Sequence, residues 1–330
     1  LDYSTGAEAF LLEPQRTNVI QYSEDFTSWN SYQATSNTTT SPSGNSVSFL
    51  DFEDVRMFPT VTILNNTEYT SSIYLKANKV ADVRIRNVGS VDKLITLTTE
   101  WVRYEVTATS SSTTTNTLLI DARFAQGLGA SGLEIALYGA QLEESSYATS
   151  YIPTSGTTVT RNRELCYDAT PVINSEEGVL YAEISALSND GTNRYISINN
   201  GTTLNSVRIY FDSTNKLSTI VNSGGVTTSY MQNSLINLLD FNKIAIRYSD
   251  SDYSLWINGS QVSSDSRSGG ATPIGLSRLG FNVSAGSPPF FGNTKGLKYY
   301  PKALSDVELE TLTSWSSFRE MAEAQSYIVE

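Results

Sequence analysis

Carboxylates, tyrosines and lysines are the side chains left for chemistry in this chain of 330 residues, because it has no histidine and its only cysteine is Cys166. Without histidine there can be no Ser-His-Asp triad, no Cys-His dyad and no imidazole ligand for zinc. A single cysteine allows neither an intrachain disulfide nor a thiolate metal cluster. Any catalysis or cation binding must therefore use oxygen and amine groups.

The spacing of the carboxylates argues against glycoside hydrolysis. That reaction needs two carboxyl groups facing each other across the scissile bond. Concanavalin-type glycosidases place such carboxylates on one strand, two residues apart, where alternate side chains share a face. The position two residues after Glu183 is Ser185, which is not a carboxylate. In each of the adjacent pairs Glu143-Glu144 and Glu176-Glu177, the two side chains would point to opposite faces of a strand. We therefore expect that the chain is not an enzyme.

The acidic balance of the chain limits its partners. The sequence carries 34 acidic and 22 basic residues, a formal net charge of -12. That field repels nucleic acid and anionic membranes, so neither is an expected partner. No stretch approaches the roughly 20 apolar residues of a membrane helix, and no charged leader precedes an apolar core. Neither membrane insertion nor a signal peptide is expected. The start at Leu1 rather than at methionine suggests a fragment or a processed product.

The sequence predicts a series of short β-strands. Before residue 150, runs of β-forming residues are separated by turn residues, and several alternate cleanly between apolar and polar side chains. These runs fall at residues 61–64, 69–75, 83–86, 101–106, 118–120 and 133–137. Further runs follow at residues 178–184, 194–198, 206–211, 243–248 and 253–257. The dipeptide Asn258-Gly259 then predicts a two-residue hairpin.

One helix is predicted, at the end of the chain. Ser305 and Glu308 have the spacing of a capping box, and apolar residues recur at helical spacing over residues 306–325. A segment rich in Thr, Ser, Gly and Pro at residues 151–163 indicates a domain boundary. The sequence therefore predicts an all-β fold of two tandem antiparallel β-sandwiches, or jelly rolls, with a short C-terminal α-helix. The expected domains are residues 1–160, residues 161–304, and a helix and tail at residues 305–330.

Strand parity places aromatic and basic side chains on the face of the second sandwich that points away from its core. Aromatic rings stack on sugar rings and arginine hydrogen-bonds sugar hydroxyls, so this face is suited to carbohydrate. The alternative is that the first domain or the C-terminal helix covers the face. In the first domain, Trp29 and Trp101 are expected in the core. The candidate binding residues are Tyr181, Tyr195, Arg208, Tyr210, Arg247 and Trp256, with Tyr32 on the rim of the first domain.

Two segments of the first domain resemble the carbohydrate-binding-like jelly rolls of phage tail proteins. The first comprises FLLEPQRTN at residues 10–18, YSEDF at residues 22–26, and Trp29. The second comprises YGAQLEE at residues 138–144 and YATSYIPT at residues 147–154, and it is similar to the closing strand of that domain. The resemblance implies an extracellular virion protein whose partners are host surface polysaccharide and other virion proteins.

The same resemblance raises the question of a metal ion. Domains similar to the first one often hold a structural calcium through oxygens of the N-terminal segment and the closing strand. Here the matching positions offer Glu24, Asp25 and Glu143, which are hard oxygen ligands. The alternative is that these carboxylates are only solvated, and no cofactor is required in either case.

The second domain resembles the laminin-G-like, concanavalin-type lectin sandwich. The resemblance rests on KIAIRY at residues 243–248 leading into LWING at residues 255–259. It also rests on GLKYY at residues 296–300 followed by ALSDVEL at residues 303–309. Such sandwiches bind sugars, bind proteins or only pack, so the resemblance is more specific for fold than for ligand.

The function expected from these observations is that of a phage tail or fibre adhesin that recognises host surface carbohydrate. One alternative is a purely structural fibre or capsid-decoration module. A second alternative is a polysaccharide depolymerase. The sequence shows no heptad repeat, so a homo-oligomer would have to form through the faces of the domains.

Overall fold

The computed structural model describes residues 9–88, 91–166, 169–266, 271–284 and 287–325. The chain divides into two compact units. The first sandwich is Gln15–Arg163, and the second sandwich is Glu164–Glu330 together with Leu1–Pro14. Both units are built of antiparallel sheets, and two short helices lie near the C-terminus. The predicted fold class, tandem β-sandwiches with C-terminal helical structure, is confirmed.

The division between the units differs from the expected one at the N-terminus. Residues 9–14 belong with the second sandwich and not with the first, because β1 (Phe10–Leu12) pairs antiparallel with β24 (Gly292–Tyr300). Leu12 is buried in the core of the second sandwich. Residues 1–8 and 326–330, which the expected domains included, lie outside the described ranges.

The first sandwich packs two main sheets around one apolar core. Their order is β10-β7-β13-β4-β3 in the five-stranded sheet and β5-β12-β8-β9 in the four-stranded sheet; β6 pairs with β11, and β2 pairs with β14. The bounds are β2 (Arg16–Asn18), β3 (Ala34–Thr40), β4 (Ser46–Asp51), β5 (Arg56–Met57), β6 (Thr60–Thr62), β7 (Glu68–Ala77), β8 (Ala81–Arg86), β9 (Asp92–Leu97), β10 (Val102–Thr109), β11 (Thr114–Asn116), β12 (Leu119–Asp121), β13 (Glu134–Glu144) and β14 (Val159–Arg161).

Asn18 joins the beginning of the first sandwich to its end. Its side chain is fully buried and makes four hydrogen bonds. Nδ2 donates to the carbonyls of Ala140 at 3.1 Å and Ile152 at 2.9 Å. Oδ1 accepts from the backbone N–H groups of Ile20 and Leu142, each at 3.1 Å. The pairing of β13 with β7 shifts register between Tyr138 and Gln141, so this asparagine satisfies backbone groups at a bulge.

The second sandwich also packs two sheets around a core. The six-stranded sheet has the order β1-β24-β15-β20-β21-β22, and the five-stranded sheet has the order β19-β18-β17-β16-β23. Inward apolar residues such as Ile196, Val207 and Leu255 are fully buried, as parity predicted. The bounds are β15 (Gly178–Ala186), β16 (Arg194–Asn199), β17 (Ser206–Phe211), β18 (Leu217–Ser223), β19 (Val226–Asn233), β20 (Asn242–Ser249), β21 (Asp252–Ile257), β22 (Ser260–Asp265) and β23 (Arg278–Gly280).

The predicted hairpin at Asn258-Gly259 is present between β21 and β22. Both residues have positive φ, 50° for Asn258 and 85° for Gly259, as a two-residue turn of this kind requires. The Gly259 N–H donates to the Thr313 hydroxyl at 3.1 Å, so the turn contacts the end of the first helix.

Replacing Gly259 with alanine should destabilise the second sandwich by about 2–3 kcal/mol. The φ of 85° is unfavourable for any residue with a Cβ, and that atom would lie 2.7 Å from Ser314 Oγ. Urea unfolding followed by tryptophan fluorescence measures the effect. Gly224→Ala is the control, because Gly224 has a φ of 58° but open space around its Cβ position, and it should cost only about 1 kcal/mol. Equal losses of unfolding free energy in Gly259→Ala and Gly224→Ala would mean that the close approach to Ser314 adds nothing to the destabilisation.

The C-terminal helical segment is interrupted, so the prediction of one helix over residues 306–325 is wrong. The structure has α1 (Asp306–Thr313) and α2 (Phe318–Ala324). The capping box of Ser305 and Glu308 is present at the start of α1. The second helix has its own N-cap, because Ser317 accepts a hydrogen bond from the backbone of Glu320. Serines compete with helical hydrogen bonding, which explains the break at residues 314–317. Within the described ranges, neither helix is long and apolar enough to span a membrane.

Glu320 fixes the second helix to the sheet. Its carboxylate accepts hydrogen bonds from the Ser316 hydroxyl and backbone and pairs with Lys243 Nζ at 2.9 Å. These donors, Ser316 foremost, lower the pKa of Glu320 to about 2 although partial burial opposes the shift. The Lys243 ammonium also lies 4.4 Å from the centroid of the Trp315 ring. The linker between the helices is therefore held against β20.

Candidate functional site

The structure separates the six candidate residues of the second sandwich into two groups. Tyr181 on β15, Arg247 on β20 and Trp256 on β21 belong to the six-stranded sheet. Tyr195 on β16 with Arg208 and Tyr210 on β17 belong to the five-stranded sheet. The prediction that all six share one face is therefore wrong. Strand parity distinguishes inward from outward side chains, but it does not say which of two sheets a strand joins.

The first group lies under helix α1. Tyr181 is 3% exposed and Trp256 is 6% exposed, and both pack in a cluster with Leu309 of the helix. Arg247 pairs with Asp306 at the start of the helix, with Nη1 2.7 Å from Oδ1. The alternative that the C-terminal helix covers the face therefore holds for this sheet. Tyr181 and Trp256 are buried packing residues, and Arg247 is partly buried and held in ion pairs, so this group is not available to a sugar.

The second group forms what we call the tyrosine face, defined by Tyr195, Arg208, Tyr210 and Tyr230 on the outer side of the five-stranded sheet. The rings of Tyr195 and Tyr210 stack with centroids 4.9 Å apart and an interplanar angle of 25°. Arg208 of β17 pairs with Ile220 of β18, which in turn pairs with Tyr230 of β19, so Tyr230 lies two strands across the sheet from Arg208. The Tyr230 side chain is 45% exposed. Tyr210 is only 7% exposed and Tyr195 is partly buried, so the accessible aromatic surface is Tyr230 and part of Tyr195, next to a guanidinium group.

A polar network borders the tyrosine face. Gln232 Nε2 donates to Tyr230 Oη at 2.9 Å and to Asp212 Oδ2 at 2.7 Å. Ser218 also donates to Asp212 Oδ2, at 2.9 Å. Partial burial opposes ionisation of Asp212, but hydrogen bonds led by that of Thr214 outweigh it and lower the pKa of the carboxyl. Burial raises the pKa of Tyr210 and Tyr195, so both phenols stay neutral and can donate and accept hydrogen bonds.

Tyr230, Gln232 and the strands around them were missed in the sequence. The runs over β18 and β19 are rich in Ser, Thr and Asn and do not stand out as apolar alternation. A usable signal was present at Gly224-Gly225, which joins the two strands with positive φ at both residues. Two glycines between β-forming runs are a hairpin signal. This signal places a strand after Gly225 and, by parity, Tyr230 among the outward residues of this sheet.

The first sandwich carries a second group of aromatic residues, here called the aromatic cluster: Tyr74, Trp101, Tyr138 and Tyr151. Tyr138 lies at its centre, with ring centroids 5.9 Å from Tyr74, 6.4 Å from Trp101 and 5.3 Å from Tyr151. Trp101 is only half-buried and its Nε1 donates to the Thr40 carbonyl at 2.8 Å. The expectation that Trp101 is a core residue is therefore wrong, whereas Trp29 is buried in the core.

The three carboxylates considered for calcium do not form a shared site. Both oxygens of the buried Glu143 accept hydrogen bonds from Thr149, and Gln141 donates to one of them. Glu24 accepts from the Tyr151 hydroxyl at 2.9 Å, and Asp25 accepts from Thr27. Within the described part of the chain, no group of three or more acidic or cysteine side chains is placed to hold a metal ion. Each of the three carboxylates has a hydrogen-bond partner within the protein, and the structural calcium stays a prediction.

Tyr32 lies on a small cavity of the first sandwich. The cavity has a volume of about 190 Å³. Tyr32 is exposed, as expected for a rim residue, and shares the cavity wall with two carboxylates and several hydroxyls. Its lining includes Glu24, Asp25, Thr27, Ser46 and Ser48. The volume is below that of pockets that enclose a drug-sized ligand, so this cavity is a subsite at most.

Comparison with known proteins agrees with the lectin-like fold of the second sandwich. Residues 173–310 match the model of the concanavalin A-like lectin/glucanases superfamily. This range runs through the second sandwich into helix α1. The comparison with curated proteins found no match.

Three solved structures illustrate the structural likenesses. The CBM40 of the Ruminococcus gnavus IT-sialidase is 17% identical, covering 43% of this chain and 84% of its own, with a TM-score of 0.38. Domains LG4-5 of the mouse laminin alpha1 chain are 10% identical, covering 91% of this chain and 95% of their own, with a TM-score of 0.30. Domain 4 of the arabinanase AbnA from Geobacillus stearothermophilus is 10% identical, covering 93% and 100%, with a TM-score of 0.25.

Proposed function

We propose that this protein is a carbohydrate-binding module of a phage tail or fibre, and that the tyrosine face binds host surface polysaccharide. The observation that carries the proposal is the exposed Tyr230 beside the stacked pair of the partly buried Tyr195 and the buried Tyr210, on an outer sheet face of a lectin-like sandwich. Aromatic rings offer a flat apolar surface to the C–H groups of a sugar ring. The phenol, amide and guanidinium groups at its border can hydrogen-bond the sugar hydroxyls.

The tyrosine face is favoured over the opposite face of the same sandwich because helix α1 occupies the latter. A sugar could reach Tyr181 and Trp256 only if α1 left the sheet, which would expose the buried Leu309 and break the ion pair of Arg247 with Asp306. The tyrosine face needs no such rearrangement, because Tyr230 and Gln232 are already exposed. Preformed surfaces bind without the cost of ordering or opening a segment.

The phage setting is supported by the resemblance of residues 10–29 and 138–154 to phage tail jelly rolls. It implies an extracellular location on the virion, host polysaccharide as ligand and other virion proteins as neighbours. The chain's net charge of -12 is compatible with an extracellular adhesin that binds neither nucleic acid nor membrane. Host-cell adsorption of fluorescently labelled protein, compared between a phage-sensitive strain and a capsule-deficient derivative, tests this part of the proposal.

Replacing Tyr230 with alanine should weaken polysaccharide binding about 5- to 30-fold, which corresponds to about 1–2 kcal/mol of lost ring contact. Its side chain is the most exposed of the tyrosine face, so the variant should fold normally. Affinity is measured by biolayer interferometry on immobilised host polysaccharide. Tyr22→Ala is the matched control, because Tyr22 is an exposed tyrosine of the first sandwich outside the aromatic cluster, and its affinity should equal that of the unchanged protein.

The same binding assay distinguishes the competing locations and functions. Loss of affinity in Trp101→Ala with full affinity in Tyr230→Ala would place the ligand on the aromatic cluster of the first sandwich. Failure of the unchanged protein to bind any host polysaccharide would favour the structural module. Release of soluble reducing sugar from the polysaccharide would instead identify a depolymerase.

A further inference from the structure

The tyrosine face contains a positive charge with no acidic partner. Arg208 lies half-buried between the tyrosines and forms no ion pair with any carboxylate of the described residues. Its Nε donates to Ser206 Oγ at 2.9 Å, and its Nη2 donates to the Thr203 carbonyl at 2.7 Å. Both partners are neutral oxygens. They orient the guanidinium group without neutralising it.

The third nitrogen of this guanidinium group is available to a ligand. Nη1 makes no hydrogen bond to the described residues, and it is not one of the buried nitrogens that lack a partner. It therefore reaches the surface of the sheet. Guanidinium N–H groups held in a fixed orientation are suited to a planar carboxylate.

Asp212, which borders this face, does not pair with Arg208. Asp212 uses Oδ2 to accept from Ser218 and Gln232, and it uses Oδ1 to accept from Thr214 and the Lys216 backbone. Burial lowers the pKa of the Arg208 guanidinium, and only Tyr195 and Tyr210 oppose that shift. The cation is thus desolvated and uncompensated. Such a group gains more from an incoming anion than a solvated surface arginine does.

Arg247 on the opposite sheet provides the contrast. It is a partly buried arginine at an equivalent outward position, and it pairs with Asp306 and Asp252. The chain has 34 acidic residues, but none of those in the described ranges pairs with Arg208. Arg103 of the first sandwich is likewise partly buried and, among the described residues, donates only to neutral oxygens, so an unpaired arginine beside a tyrosine ring occurs in both sandwiches.

We infer that the ligand of the tyrosine face is an acidic polysaccharide and that Arg208 binds its carboxylate while the tyrosine rings contact the sugar. The net charge of -12 repels such a polymer at long range, so the attraction must come from this short-range contact, where screening by salt weakens the repulsion but not the buried pair. This inference rests on the proposed function and adds the chemical class of the ligand. It makes Arg208 the residue that selects acidic over neutral sugars. The mechanism of selection is one charge-assisted hydrogen-bonded pair in a partly desolvated setting.

The test uses the full chain and a panel of bacterial surface polysaccharides in which each acidic polymer is paired with its carboxyl-reduced form. Binding should be found among the acidic members and should fall about 10- to 100-fold on carboxyl reduction. Arg208→Gln should lose affinity by a similar factor for the acidic polymer and little for its reduced form. Arg208→Lys keeps the charge but not the planar donor geometry. Its affinity for the acidic polymer should therefore lie between those of the unchanged protein and Arg208→Gln.

The control is Arg84→Gln, which removes the same charge from the first sandwich and should bind the acidic polymer like the unchanged protein. Circular dichroism and thermal unfolding establish that each variant is folded. Equal binding of an acidic polymer and its reduced form, or binding of neutral polymers only, would overturn the inference while leaving the proposed function in place. Absence of binding to every member of the panel would overturn both.

Discussion

Replacing Asn18 with leucine is expected to destabilise the first sandwich by about 3–4 kcal/mol. The side chain is fully buried and satisfies four backbone groups, two carbonyls and two N–H groups. Leucine has a similar size but no polar atoms, so all four groups would lose their partner in a buried setting. The net loss for each hydrogen bond is about 1 kcal/mol, and the sum is a large fraction of the stability of a small domain.

Hydrogen exchange measured by mass spectrometry gives the result for each unit separately. Amides of β7 and β13 should exchange faster in Asn18→Leu, while those of β15 in the second sandwich serve as the internal reference. Asn37→Leu is the control, because Asn37 is exposed and its side chain donates one hydrogen bond, to Glu134. A loss no larger in Asn18→Leu than in Asn37→Leu would show that water or a rearranged bulge replaces the four bonds.

Replacing Phe290 with alanine is expected to destabilise the second sandwich by about 3–5 kcal/mol. Its ring is fully buried, with centroids 5.7 Å from that of Phe211 and 6.1 Å from that of Phe281. Truncation removes the ring and leaves a cavity in a close-packed core. Urea unfolding of the full chain, followed by fluorescence and by hydrogen exchange of β17, measures the change.

The matched control for that experiment is Phe318→Ala. Phe318 is 71% exposed, so its truncation should lower the free energy of unfolding by less than about 0.5 kcal/mol. Comparable losses in Phe290→Ala and Phe318→Ala would mean that Phe290 is not a core residue. The comparison also bears on the loop before β24, since the Phe290 N–H donates to the Phe281 carbonyl at 2.7 Å. Faster hydrogen exchange of the amides in this loop in Phe290→Ala, but not in Phe318→Ala, would show that the Phe290 ring anchors the loop.

Local signals in the sequence predicted local structure correctly. Alternation gave the inward residues of β15, β16, β17, β20 and β21, and Asn258-Gly259 gave the hairpin, because both depend on neighbours along the chain. The capping box at Ser305 was found for the same reason. The prediction of a continuous helix was wrong because the apolar spacing continues across residues 314–317, a segment that contains Ser314, Ser316 and Ser317. Those serines end one helix and cap the next.

The candidate site was predicted only in part, because its assembly depends on pairing between distant strands. Parity identified Tyr195, Arg208 and Tyr210 as outward, but it also grouped them with Trp256, which lies on the other sheet. The order of strands in a sheet is not readable from periodicity. Tyr230 was missed because a strand rich in serine and threonine carries a weak apolar signal. Trp101 was assigned to the core on residue type alone, although an indole group can also lie half-buried on a sheet face.

The pairing of β1 with β24 has a consequence for how the lectin-like sandwich can be produced in isolation. A segment beginning at Glu164 looks like a complete domain in the sequence, but it lacks the strand that covers one edge of the six-stranded sheet. The backbone N–H and C=O groups of β24 that face residues 10–12 would then be unpaired, and open edges of this kind join other chains and aggregate. A soluble version should retain residues 9–14, supplied through a short linker or as a separate peptide. The same open edge could accept a strand from a second copy of the protein, so the shortened segment should be checked for dimers before its sugar binding is measured.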